Sequence, residues 1–349
     1  MPAAPRSICL LRLSALGDAT HVVPLVRTLQ RHWPSTALTW IIGHPEHRLL
    51  EGLDGVEFIV YDKRTGISGL RALWRGLAGR RFDALLHMQL ALRANILAAG
   101  IHADRRIGYD HARSKEGHSL IVRERIPAGG HHVLDVIGSF AEPLGLHQDR
   151  VEWRMPIPPE AHAWAAEHLP DSTAPALIIS PCASHPLRNW AAERYAAVAD
   201  HAAANGWRIV LCGGRSKLER STANAIIENM HSPAIDLVGK DTLKQFCALL
   251  ARADALLAPD SGPVHIANAV GTPVLGLYAC TDARRSGPYS DLRWTVDHYQ
   301  DAAQKFLRRS TATLRWGRRI EIPGVMELIC VEEVIARFDA LRAHREATA

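Results

Sequence analysis

Short runs of aliphatic residues alternate along the chain with stretches in which apolar residues recur every three or four positions. The short runs are typical of buried β-strands, and the periodic stretches are typical of amphipathic helices. Their regular alternation predicts an α/β protein in which βα units build parallel sheets.

The first half of the chain alternates predicted strands with predicted helices. The strands are Ser7–Leu13, Ala37–Ile42, Glu57–Asp62 and Asp83–Gln89. The helices are Thr20–His32, Glu46–Leu53, Gly69–Arg80 and Leu92–Ala99. Pro34 is expected to end the first helix, because its ring clashes with the preceding turn and it has no N–H to donate.

A second βα series follows the proline-rich stretch 155–159, which we interpret as a linker. Its predicted strands are Ala176–Ser180, Arg208–Gly213, Ile235–Val238, Ala255–Ala258 and Val274–Tyr278. Its predicted helices are Glu193–Ala204, Lys217–Met230, Leu243–Ala253 and Val264–Val270. The two series predict two Rossmann-like domains, whose ligands usually bind outside the carboxyl ends of the strands.

Length and composition agree with two globular domains. The chain has 349 residues, 47% hydrophobic and 22% charged, which excludes a disordered chain and a small disulfide-stapled domain. No apolar run reaches the roughly 18 residues of a membrane span. The first apolar stretch is interrupted by Arg12 and lacks a signal-peptide cleavage pattern, so we expect a cytoplasmic protein.

The charge balance favours anionic partners. The net charge is +5 and the isoelectric point is about 9.0, an excess too small to indicate nucleic acid binding. The 6 cysteines contain no CxxC pair, and the 19 histidines lack the spacing of metal ligands on one helical face. We therefore predict buried thiols, no disulfide framework and no metal site.

Gly17 and Asp18 lie where the first strand turns into a helix. Gly17 allows a tight backbone there, and the helix N-terminus presents free N–H groups and the positive end of a dipole. Asp18 is then either a helix cap or a carboxylate that takes a proton from an attacking hydroxyl. The segment lacks a GxGxxG fingerprint, which argues against an NAD site.

The segment from Asp260 to His265 is a second junction between a strand and a helix. Asp260 or Ser261 can cap this helix, Gly262 lets a ligand approach the backbone, and a proline suits the first turn. The result is either an anion pocket that can hold a pyrophosphate or an ordinary capped helix.

Two loops of the second half add polar side chains near the same predicted sheet edge. Ser184 and Arg188 can hold phosphate oxygens through hydroxyl and guanidinium donors, although a solvated loop arginine is the alternative. Glu219 follows Gly213 and Gly214 and can accept hydrogen bonds from a ribose, but acidic residues are common in first helical turns.

Three segments together resemble the lipopolysaccharide heptosyltransferases of glycosyltransferase family 9. Residues 13–21 resemble the family's S-x-x-G-D segment, and residues 260–265 its D-[ST]-G-x-x-H segment. Residues 278–282 and 287–289 resemble its Y-G-x-T-D and G-P-Y segments, with Ala279 in place of the usual glycine. The resemblance covers nearly the whole chain and implies a GT-B fold, two Rossmann-like domains facing across a cleft.

The resemblance also implies an inverting transfer of heptose from ADP-heptose, without a cofactor or metal. Asp18 would be the general base, and the backbone after Ser261 would hold the pyrophosphate. Arg188 stands where the family usually has a lysine, and Glu219 falls one position from the family's ribose-binding glutamate. The sequence has no DxD pair of the kind that holds Mg²⁺ on a diphosphate.

By this resemblance, residues 1–155 bind the acceptor, residues 156–325 bind the donor, and residues 326–349 form a helix that packs back on the first domain. The expected acceptor-binding residues are Ser14, Gly17, Lys63, Arg64 and Arg93. The expected donor-binding residues are Ser184, Arg188, Glu219, Asp260, Ser261, Gly262 and His265.

The expected acceptor is Kdo-lipid A or inner-core lipopolysaccharide, reached by peripheral contact with the cytoplasmic face of a Gram-negative inner membrane. The residues after Gly17-Asp18 look nearer to heptosyltransferase I than to II. The alternatives are a GT-B relative that uses another nucleotide sugar, an epimerase, and a non-catalytic protein that binds a nucleotide sugar or lipopolysaccharide.

Overall fold

A computed structural model describes residues 4–348, and the chain divides into two units, Met1–Pro156 and Ile157–Ala349. The division falls inside the predicted proline-rich linker. Each unit contains one parallel sheet, with six strands in the part of the chain that the structure describes. The predicted α/β architecture with two parallel sheets is therefore confirmed.

The first unit has the strand order β3-β2-β1-β4-β5-β6. Its strands are β1 (Ser7–Leu11), β2 (Ala37–Gly43), β3 (Val56–Tyr61), β4 (Phe82–His87), β5 (Ala103–Gly108) and β6 (Glu124–Arg125). Its helices are α1 (Leu16–His32), α2 (His44–Leu50), α3 (Gly66–Gly76), α4 (Leu92–Ala99), α5 (His118–Ile121) and α6 (Val133–Gly138).

The second unit has the strand order β12-β11-β10-β7-β8-β9. Its strands are β7 (Ala176–Ile179), β8 (Arg208–Leu211), β9 (Ala234–Asp236), β10 (Ala255–Pro259), β11 (Val274–Tyr278) and β12 (Val296–Asp297). Its helices are α7 (Pro159–His168), α8 (Ala192–Ala204), α9 (Lys217–Asn229), α10 (Leu243–Arg252), α11 (Gly262–Val270), α12 (Ala283–Ser286), α13 (Tyr299–Leu307) and α14 (Val331–Thr348).

In each sheet the strand order reverses between two neighbouring central strands, β1 and β4 in the first sheet and β7 and β10 in the second. β1 lies between β2 and β4, and β7 lies between β8 and β10, with parallel pairing on both sides. Four of the five residues of β1 and all four of β7 are buried, as expected for strands covered on both faces. Ligands of open α/β sheets bind outside the carboxyl ends of the strands at such reversals.

The first helix begins four residues earlier than the sequence predicts, at Leu16 instead of Thr20. Gly17 and Asp18 therefore lie within its first turn. The helix ends at His32, before Pro34, and accommodates Pro24 in its interior. The charged strand β5 was not predicted, because Asp104, Arg105 and Arg106 interrupt its apolar pattern.

The C-terminal helix α14 forms part of the core of the second unit, which the sequence did not predict, and its packing on the first domain stays a prediction. Three apolar side chains of α14 are buried in the core of the second unit, and the ring of Phe338 lies 5.0 Å from that of Trp207, between centroids. Asp339 bonds to His201 at 2.9 Å, and Arg345 pairs with Asp254. The apolar positions 334, 338 and 341 recur at helical spacing, so they form one face toward α8.

Among residues 4–348, no helix is long and apolar enough to cross a membrane. The six cysteines are free thiols, and the prediction that they are buried is confirmed for four of them and wrong for Cys182 and Cys330, which are partly exposed. Within the same range, no group of three or more histidine, cysteine or acidic side chains is arranged to hold a metal ion.

Candidate active site

Asp18 lies in the first turn of α1, just beyond the carboxyl end of β1. The residue at the N-cap position is Ala15, whose side chain offers no acceptor, and Asp18 is the third helical residue. Its Oδ2 accepts the backbone N–H of Ala15 at 3.3 Å. Asp18 therefore caps the helix from within the first turn, which is a variant of the predicted cap and leaves a catalytic role open.

The carboxylate of Asp18 also forms an ion pair with Arg12. Arg12 is the first residue after β1, and only 11% of its side chain is exposed. Burial lowers the pKa of the Arg12 guanidinium, but attraction to Asp18 and hydrogen bonds to Asp18 and Tyr109 outweigh burial and raise it. We refer to Arg12, Asp18 and the loop between them as the first half-site.

Gln89, which sequence reasoning did not select, fixes the loop of the first half-site. Its Oε1 accepts the backbone N–H groups of Leu13 and Ser14 at 2.9 and 3.2 Å, and its Nε2 donates to Ser14 Oγ at 3.3 Å. Gln89 follows β4, the neighbour of β1. Its position as a polar residue just after the strand next to β1 was the feature of the sequence that could have identified it.

The other predicted acceptor-binding residues differ in how far they are buried and in what they contact. Gly17 is buried, and its carbonyl accepts Thr20 Oγ1 at 2.6 Å. Arg64 is exposed and forms a two-point pair with Asp62, which lowers the pKa of Asp62 to about 2. Lys63 and Arg93 are exposed, Lys63 in a short 3-10 turn after β3 and Arg93 in the first turn of α4.

Glu46 is a buried carboxyl that the sequence analysis missed. It lies in α2, and an atom added at Gly43 as Cβ would lie 2.4 Å from its Oε2 and 2.2 Å from the carbonyl of Leu13. Burial raises the pKa of Glu46, while attraction to Lys63 and Arg12 opposes that rise. The structure thus brings Lys63 into the electrostatic neighbourhood of the first half-site.

The second half-site is the N-terminus of α11 with the loop that follows β7. Ser261 occupies the N-cap position of α11, but its hydroxyl makes no cap hydrogen bond. Ser261 Oγ is buried and has no partner among the described residues. The helix begins with Gly262, and His265 is buried in its first turn. A helix start with open N–H groups and an unpartnered hydroxyl suits an anion.

Arg188 is the buried cation of the second half-site. Its guanidinium donates to Ser184 Oγ at 2.6 Å and to the carbonyl of Asp260 at 3.2 Å, and it lies 3.4 Å from Asp260 Oδ2. Only 7% of its side chain is exposed. The alternative of a solvated loop arginine is therefore wrong, because Arg188 lies in the core of a polar cluster.

Glu321 is a further residue of the second half-site that the sequence did not reveal. Its Oε1 lies 3.3 Å from Arg188 Nε, and Arg319 approaches the same oxygen at 3.9 Å. Glu321 belongs to no recognisable motif and is more than 130 residues from Arg188 in sequence. No signal in the sequence could have paired them.

Glu219 serves the turn that contains it. Ser216 Oγ accepts the Glu219 N–H, while Glu219 accepts the N–H and the hydroxyl of Ser216 and, at 2.6 Å, the N–H of Gly214. The contacts between Ser216 and Glu219 form a complete capping box, and the bond from Gly214 ties the preceding loop to it.

Asp241 is a half-buried carboxyl in the loop between β9 and α10, near Glu219. Burial raises its pKa to about 6, and the neighbouring Arg215 opposes part of that rise. The sequence analysis did not select this residue.

Comparisons with known proteins identify the family of the chain. Residues 70–315 match the model of glycosyltransferase family 9 (heptosyltransferase). The lipopolysaccharide core heptosyltransferase OpsX of Haemophilus influenzae is 39% identical over 97% of both chains.

Solved structures show the same fold. The ADP-heptose lipopolysaccharide heptosyltransferase II of E. coli superposes with a TM-score of 0.73 at 19% identity, over 97% of this chain and 99% of that one. The E. coli heptosyltransferase WaaC with ADP-2-deoxy-2-fluoro heptose gives a TM-score of 0.65 at 20% identity, over 79% and 90%. The fold is therefore GT-B, and the chain belongs to glycosyltransferase family 9, the heptosyltransferases.

Proposed function

We propose that this enzyme transfers L-glycero-D-manno-heptose from ADP-heptose to the Kdo or inner-core region of lipopolysaccharide, with inversion and without a divalent metal. The observation that carries the proposal is the second half-site. There, buried Arg188 lies beside the start of α11, where the hydroxyl of Ser261 has no partner among residues 4–348.

The second half-site suits the leaving group of such a reaction. When the bond between the anomeric carbon and ADP breaks, negative charge develops on the diphosphate. The N–H groups at the start of α11 and the guanidinium of Arg188 are fixed donors for that charge. Ser184, Asp260 and His265 border this position, and Glu219 is proposed to approach the ribose, next to the half-buried Asp241.

The first half-site suits the acceptor. The acceptor hydroxyl attacks the anomeric carbon from the face opposite ADP, a new C–O bond forms as the old one breaks, and the hydroxyl proton passes to Asp18. A single displacement of this kind inverts the configuration of the sugar. Ser14, Gly17, Lys63, Arg64 and Arg93 are proposed acceptor contacts, since a Kdo-bearing lipid carries carboxylates and phosphates that attract the basic side chains.

The relatives support this choice of substrates. The curated relative at 39% identity is named for the lipopolysaccharide core, and WaaC has been solved with a fluorinated ADP-heptose. We infer the same donor and acceptor class for this chain, with heptosyltransferase I as the nearer specificity. A lipid acceptor would bring the enzyme to the cytoplasmic face of the inner membrane as a peripheral protein.

Calorimetric titration tests the donor. The protein is titrated with ADP, UDP and GDP in the presence of EDTA, beside an Arg188→Ala variant and an Arg194→Ala control whose guanidinium bonds the carbonyl of Ile329 instead. Preference for ADP without metal, lost in Arg188→Ala alone, supports the proposal. Preference for UDP or GDP assigns another nucleotide sugar, and binding that requires a metal contradicts metal-independent transfer.

Transfer itself is tested with ADP-heptose and Kdo-lipid A. Mass spectrometry of the lipid should show one added heptose, and NMR of the product should show the inverted anomeric configuration. Binding of ADP without any transfer would favour a non-catalytic nucleotide-sugar-binding protein instead.

A further inference from the structure

The backbone of Arg12 is held in place by two hydrogen bonds. Its N–H donates to the carbonyl of Ile41 at 3.2 Å, and its carbonyl accepts the indole N–H of the fully buried Trp40 at 3.1 Å. The residue therefore continues the sheet alignment of β1 by one position. Its side chain leaves the backbone from a fixed point in the core.

The guanidinium of Arg12 is fixed at its other end as well. It donates to the carbonyl of Met88 and to the hydroxyl of Tyr109, the latter at 3.2 Å. The hydroxyl of Tyr109 in turn donates to the Met88 carbonyl at 3.1 Å. A guanidinium held by two neutral acceptors and ion-paired with Asp18 has little freedom to turn, and removing its buried charge leaves that carboxylate uncompensated.

Other charged and titratable groups also face this guanidinium. Glu46 approaches from α2, and Lys63 acts on Glu46 from the connection after β3. Asp18 faces Arg12 from α1, and Tyr109 faces it from the connection after β5. Asp18 is the group with which Arg12 forms an ion pair.

We propose that Arg12 is a positioning residue for the transfer reaction, which holds the carboxylate of Asp18 in place and in its charged form. This inference rests on the proposed function, because it assumes that Asp18 accepts the proton of the acceptor hydroxyl. A fixed opposite charge favours the ionised carboxylate. The fork of Arg12, tied to Met88 and Tyr109, also restricts where that carboxylate can lie, and catalysis is sensitive to such placement.

Three variants test the inference in the full-length enzyme with ADP-heptose and Kdo-lipid A. Arg12→Gln removes the charge, Arg12→Lys keeps the charge without the fork, and Tyr109→Phe removes one hydrogen bond that orients the fork. Arg31→Gln is the matched control, since Arg31 pairs with Asp149 at the other end of α1. Thermal unfolding of every variant establishes that it is folded.

We expect Arg12→Gln to lower kcat roughly 100-fold with the KM for ADP-heptose unchanged. The acidic limb of its pH profile should move to higher pH, because the carboxylate is protonated more easily without the opposite charge. Arg12→Lys should restore the position of that limb and part of kcat. Tyr109→Phe should lower kcat by about threefold to tenfold without moving the limb.

Other outcomes overturn the inference. If Arg12→Gln is folded and keeps its kcat and its pH profile, Arg12 does not act through Asp18. If kcat falls equally in the glutamine and lysine variants and neither profile moves, the role of Arg12 is structural. If Arg12→Gln does not fold, an unchanged kcat in Tyr109→Phe overturns the positioning role. Failure of the wild-type enzyme to transfer heptose at all would instead count against the proposed function.

Discussion

Arg188 Nε lies 3.3 Å from Glu321 Oε1, while the same guanidinium lies 3.4 Å from Asp260 Oδ2. One buried cation is therefore shared by two carboxylates. A diphosphate that binds Arg188 must compete with both of them, so their charges oppose donor binding even as they keep the guanidinium in position.

Replacing Glu321 by glutamine should strengthen ADP binding by about threefold to tenfold, because one repelling charge is lost and an acceptor oxygen remains. The gain should be larger at low salt than at high salt. Calorimetry at two salt concentrations measures both effects. Glu327→Gln is the control, an exposed residue of the same segment. Weaker ADP binding in Glu321→Gln would show instead that its charge is needed to orient Arg188.

Replacing Asp18 by asparagine should lower kcat for heptosyl transfer by roughly 10²–10⁴-fold, since the proton acceptor is lost. ADP affinity should stay the same, because the proposed donor contacts lie in the second unit. Rapid-quench kinetics and calorimetry on one preparation measure the two quantities. Retention of most of the transfer activity would leave Asp18 with its capping role alone.

His87 and His118 should make the first unit sensitive to acid. Both rings bond to Asn95 Oδ1, at 2.7 and 3.2 Å, and His118 Nε2 accepts the backbone N–H of Tyr109. Burial is the main cause that lowers the pKa of His87 to about 3 and of His118 to about 4.

These pKa values lie below the ordinary value of about 6.5 that the unfolded chain has. The unfolded state therefore binds more protons between pH 6.5 and 4. As the pH is lowered through this range, the free energy of unfolding falls by up to about 1.4 kcal/mol per pH unit for each histidine. Urea unfolding at several pH values measures this slope. His87→Gln should reduce the slope by the contribution of one histidine, whereas His111→Gln, at an exposed position, should leave the slope unchanged. An equal slope in both variants would contradict the assignment.

Asp241 should act on stability in the opposite sense. Burial raises its pKa to about 6, above the value of 3.8 for a free carboxyl, so the folded state binds the extra proton between these values. The contribution of this proton to the free energy of unfolding is favourable at low pH and is lost as the pH rises through 6. Asp241→Asn should therefore be more stable than the wild type at pH 7, by on the order of 1–3 kcal/mol, and equal to it below pH 4. A less stable variant at pH 7 would mean that the charged carboxylate makes a needed contact.

The sequence predicted the central strands well, because their apolar runs are short, continuous and separated by helical periodicity. It missed β5 and β6, whose charged residues hide the strand pattern. Arg105 and Arg106 belong to this region, and their charges are met by Glu124 and by main-chain carbonyls, respectively. Local pattern reasoning has no access to such distant partners.

The sequence indicated candidate site residues only in motifs that follow a strand. Asp18, Ser261 and Arg188 come from such positions. Arg12 was visible as a charge that interrupts an apolar stretch, but its partners Met88 and Tyr109 are far away in sequence. Gln89 and Glu321 likewise act across strands or loops, and only the fold brings them to the residues they hold.

The placement of α14 has a consequence for dissecting the enzyme. Because this helix completes the core of the second unit, all elements of that unit come from one uninterrupted stretch of chain, 157–349. A single proteolytic cut at the proline-rich linker would then leave all the strands of each sheet on one of the two fragments. A fragment of the second unit that ends before residue 331 would instead lose Phe338, whose ring packs against Trp207, and would expose part of its core to aggregation.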